Sequence, residues 1–83
     1  MTVKGSDLRE LLASSVPDPT LVLLEGRLHI VQVDDLDTDA YRGALLLVSR
    51  QELLSRGVGE DSPDEVLEQQ AAAVSTAVAQ MGG

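Results

Sequence analysis

Five side chains in one short stretch carry most of the chemistry on offer. Asp35, Asp37 and Asp39 alternate with Leu36 and Thr38, and Tyr41 and Arg42 follow almost at once. Asp-x-Asp-x-Asp is the spacing that arranges carboxylates around a Ca²⁺ ion. The remainder of such a loop is missing. Counting Asp35 as the first position, Ala40 stands where the sharp turn needs glycine, and Leu46 stands at the twelfth, where a bidentate Glu is required. The stretch therefore reads as a solvated, extended acidic loop suited to a basic partner, and no metal is assigned to it. Tyr41 and Arg42 are residue types enriched where proteins dock. The plainer alternative packs Tyr41 over the sheet edge and pairs Arg42 with a nearby Asp.

His29 is the only histidine, and it stands among apolar neighbours. Without a second His it cannot complete a zinc site, and no Gly-x-Ser-x-Gly elbow accompanies it. It reads as a partly exposed strand residue. The absence of cysteine removes disulfides, thiolate metal sites and Cys nucleophiles. No pair of groups with catalytic spacing emerges, so the expectation is a non-enzyme with no cofactor. Two local features resemble known families. The terminal Gly82-Gly83 resembles the diglycine of ubiquitin-like sulfur carriers, but here it follows a helix and not a β-grasp sheet. The acidic stretch Glu60 to Glu68 is similar to part of an acyl carrier protein, yet that family's Asp-Ser-Leu is absent, and Asp61-Ser62 runs into Pro63.

The formal charge is −8, and the six Lys and Arg are dispersed at Lys4, Arg9, Arg27, Arg42, Arg50 and Arg56. A phosphate backbone is repelled by such a surface unless cations cluster, so nucleic acid is disfavoured as a partner. The first residues run into Asp7 in place of an apolar signal core, and no stretch approaches the roughly 20 apolar residues that span a bilayer. A cytoplasmic location away from membranes is expected. The preference for Arg over Lys, with abundant Ala, Gly, Val and Leu, resembles proteins of GC-rich bacterial genomes.

These residues are positioned by an α+β framework of 83 residues in a single domain. Three apolar runs predict a small, mainly antiparallel three-stranded sheet over about 20–24, 28–33 and 43–48, with Gly26 supplying positive φ to the first hairpin. Helices are predicted over 7–14, 50–56 and 63–80. Asp7 is placed to cap the first. Ser49 and Glu52 form a capping box for the second, which Gly57 and Val58 end as a Schellman turn. Ser62, Pro63 and Glu65 repeat the start signal for the third. Residues 1–5 and 82–83 are expected to fray. Along the third helix Leu67, Ala71, Val74, Val78 and Met81 share one side, which Val66, Ala73 and Ala77 widen.

With no Phe or Trp and one Tyr, the core must be aliphatic. Ile30 and Leu46 are placed in it, where Asp would abolish folding. The second strand is largely apolar on both faces and the third is apolar throughout, so both sides of the sheet need cover. One helix shields one side; the other falls to the remaining helices or to another copy. Two functions fit. One is a protein–protein interaction module or accessory subunit that forms a homodimer through a sheet face or the last helix, using Asp35, Asp37, Asp39, Tyr41, Arg42, Val74, Val78 and Met81 as contacts. The other is an acidic inhibitor of the immunity-protein or antitoxin kind, whose carboxylates block a basic active site.

Overall fold

Glu25 and Gly26 set the architecture. The computed structural model describes residues 3–82, and in it β1 (Pro19–Leu24) and β2 (Arg27–Gln32) are joined by these two residues alone. Leu24 lies opposite Arg27. Both turn residues take positive φ, 53° at Glu25 and 79° at Gly26, the type I′ arrangement whose twist suits the flanking strands. A Cβ added to Gly26 would meet nothing within 4 Å. Gly26→Ala should therefore cost about 1 kcal/mol through backbone conformation alone, read as a lower urea midpoint with an unchanged slope.

β3 (Leu45–Ser49) returns antiparallel on the far side of β1, giving the order β2-β1-β3 and an α+β fold. The central place of β1 explains why Pro19, Thr20, Leu21 and Val22 are all buried. Val48 opposes Leu21 while Leu46 opposes Val22, so Leu47 is an extra residue in a bulge and packs against the core.

The three helices are α1 (Gly5–Ala13), α2 (Arg50–Ser55) and α3 (Asp64–Gly82). α1 starts earlier than its sequence predicts. Asp7 lies inside the helix and caps backwards, its carboxylate accepting the Lys4 N–H at 2.9 Å. Val3 to Gly5 do not fray. Val3 is buried and its N–H donates to Ser75 Oγ at 2.8 Å, while the Gly5 N–H donates to Glu68 Oε1 at 3.0 Å. Met1, Thr2 and Gly83, the rest of the expected frayed ends apart from Gly82, lie outside the described residues.

α2 is bounded as the sequence predicts. Ser49 Oγ accepts the Glu52 N–H at 3.1 Å, while the Glu52 carboxylate, expected to complete a capping box, faces Arg56 at 3.6 Å instead. At the other end Gly57 has a φ of 82°, the Val58 N–H reaches the Leu53 carbonyl at 2.9 Å and the Gly57 N–H reaches Leu54 at 3.0 Å. Those two bonds define a Schellman turn. At the start of α3 the sequence misleads: the Ser62 hydroxyl accepts the Gly59 N–H at 2.9 Å within the preceding turn. Arg9 of α1 organises this end instead, donating to the carbonyls of Glu60 and Ser62 and to Asp64 Oδ1 at 2.8, 3.1 and 2.6 Å.

All three helices contribute to a core on one face of the sheet. Leu8, Leu11 and Leu12 of α1, Leu53 of α2, and Leu67, Ala71 and Val74 of α3 cluster with Val58, Leu21 and Val48. Ala73 and Ala77 are exposed, because α1 and the sheet cover a narrower strip of α3 than the sequence suggests. On the opposite face Val22 and Val31 are also buried, although they lie outside the helix-side cluster. Here the connection from β2 to β3 folds back through two 3-10 turns, Val33–Asp37 and Asp39–Tyr41, and the Tyr41 ring meets His29 edge-on at 6.0 Å. Part of the role expected of another element or copy is thus taken by the chain's own loop.

Candidate interaction surface

The acidic connection is exposed throughout at Asp34, Asp35, Asp37 and Asp39. Repulsion among carboxylates leads one to expect an extended loop, yet short hydrogen bonds coil it. The Asp35 carbonyl accepts from both the Thr38 N–H at 3.1 Å and the Thr38 hydroxyl at 2.6 Å. Among the described residues no group of three or more His, Asp or Glu converges as a cation site. Arg42 pairs with Asp39 at 2.8 Å, but both side chains are so exposed that the pair contributes little. Tyr41 rests on His29. The plainer reading of Tyr41 and Arg42 therefore describes their surroundings. Changing Asp35, Asp37 and Asp39 together to Asn should leave the melting temperature unchanged or slightly raised, since carboxylate repulsion is relieved and the one ion pair lost, Asp39 with Arg42, is too exposed to contribute much. A marked fall would reveal a bound cation or an ion-pair network.

The eight expected contact residues fall into separate groups. Asp35, Asp37, Asp39, Tyr41 and Arg42 sit together on the connection. Val74 is buried in the chain's own core and Val78 packs against it, so the apolar stripe of α3 faces inward and Val74 offers a partner nothing. The side chain of Met81 lies outside the described residues.

Sequence reasoning missed the surface around β3. Among the described residues four large apolar side chains remain exposed: Val33, Leu45, Leu46 and Leu54, with Leu46 and Leu54 each at 54%. Leu46 was expected in the core, and the reason for the difference is topological. A run such as Leu45-Leu46-Leu47-Val48 reads as buried on both faces only if its strand is central, and β3 is at an edge. Val33 and Leu54 line an open groove with Thr20, Ser49 and Arg50, whose guanidinium donates to the Ser14 carbonyl at 3.0 Å. No protein-family model matches this chain, and no curated protein or solved structure matches it either. Among the described residues no helix is long and apolar enough to cross a membrane.

Proposed function

We propose that the chain is a small, acidic, non-catalytic protein–protein interaction module or accessory subunit that associates with itself through its sheet. The observation that carries this reading is the exposure of Leu45, Leu46, Leu54 and Val33 on and beside the sheet, in a chain whose α1 and α3 have already turned their apolar stripes inward. Leu45 and Leu46 are neighbours on the edge strand β3, and Val33 and Leu54 share the groove at its Ser49 end; exposed apolar groups that cluster mark association sites more often than scattered ones. α3 has a weaker claim, because its outward residues include Ala72, Ala73 and Ala77 and its larger aliphatics face the core. Sedimentation equilibrium over a wide concentration range tests the reading: a reversible dimer is expected, and a monomer at every concentration overturns it.

One observation favours a second reading. Among the described residues, Asp34, Asp35 and Asp37 have no salt-bridge partner, so their carboxylates are available to a basic site on another protein. An acidic inhibitor of that kind associates at a rate that falls steeply with added salt. Self-association of two copies that each carry a charge of −8 is held or strengthened by salt, which screens their repulsion, and that opposite response separates the two.

A further inference from the structure

We propose that two copies of the chain pair β3 with β3, antiparallel and about a twofold axis, so that three strands from each copy make one continuous sheet. This rests on the self-association proposed above and specifies its contact. Among the described residues, only β1 pairs with the β3 ladder, which leaves the backbone groups on the outer side of β3 facing away from the sheet. Natural edges are usually blunted by Lys, Pro or inward charges. Leu45-Leu46-Leu47-Val48-Ser49 has none of these, and its one irregularity is the bulge at Leu47. The opposite edge, β2, is better guarded: it carries Arg27, and α1 places Asp7 and Glu10 beside Leu28 and His29.

Two observations identify the occupant. Leu45 stands beside Leu23 and Leu46 beside Val22, so the two exposed side chains project from opposite faces of the same edge. A partner lying on one face would cover one of them; an added strand covers both. The second observation is charge. In a chain of net charge −8, Ala40 to Gln51 contains two arginines and no carboxylate. An equally acidic second copy can approach there without setting carboxylate against carboxylate, and an antiparallel edge presents the same pattern to itself.

The chain has no cysteine, so a single nitroxide on Ala44→Cys reports on the contact without other labels. With the axis at the middle of β3, the two labelled backbones lie roughly 20 Å apart, from six residues at about 3.4 Å each. A label on the exposed Ala77→Cys of α3 is the control for a contact made through that helix. In the unlabelled chain Leu46→Lys, at an exposed position, should raise the dimer dissociation constant at least tenfold while dilute samples keep the parent's circular dichroism melt. A dimer that tolerates Leu46→Lys, or that brings the residue 77 labels together in place of those at 44, overturns the edge contact and leaves self-association standing. A chain that is monomeric at every concentration overturns both.

Discussion

Leu67→Asp should leave the chain unfolded at room temperature, whereas Leu46→Asp should fold. Leu67 is almost completely buried where α3 meets the helix-side core, and Arg9, which lines the groove beside it, is already engaged by Asp64 and the carbonyls of Glu60 and Ser62. Burying an unpaired charge costs several kcal/mol. At roughly 0.05–0.15 kcal/mol per residue, a chain of this length has a stability of only about 4–12 kcal/mol, so that single change removes most or all of it. Leu46 is 54% exposed, and an Asp there keeps its water. Far-UV circular dichroism with urea titration distinguishes the two. Native-like spectra from Leu67→Asp would mean the core is misplaced. Loss of structure in Leu46→Asp would put that residue back inside, where its apolar neighbours in the sequence suggest it belongs.

Val22→Ala should lower stability by about 2 kcal/mol, from the two lost methyl groups and the void they leave. For a domain of this size that is a fall of about 10 °C in melting temperature. The interest lies in where Val22 sits. It is fully buried on the sheet face away from the helix-side core, between His29 and Leu46 in the ladder. If that face were dry only in a dimer, the same substitution measured on dilute monomer would cost under about 0.5 kcal/mol, as at an ordinary surface position. The full effect in the monomer shows that one copy closes this part of the sheet by itself.

Features set by neighbouring residues were legible in the sequence. Ser49, Gly57 and Val58 mark both ends of α2, since each signal acts within a few residues of itself. The hairpin and the three apolar runs were legible for the same reason. Strand order was not, because it depends on how the twelve-residue connection 33–44 folds back, and that order decides that Leu46 is at an edge and Val22 at the centre. Ser62 shows a subtler limit: a hydroxyl that fits a helix cap also fits the turn before it, and composition does not say which bond forms. The acidic stretch and Tyr41-Arg42 were correctly placed on one connection. The inward facing of Val74 and the anchoring of Val3 depend on partners far along the chain.

That last anchorage has a consequence during synthesis. Val3 is hydrogen-bonded to a residue 72 positions later, and α1 rests on α3, which is made after α1, the sheet and α2. At about 5–20 residues per second, the ribosome needs roughly 4–14 s to supply the partner. Throughout that wait Leu8, Leu11 and Leu12 have no α3 to cover them, so one side of α1 stays greasy until a segment more than fifty residues further along has been made.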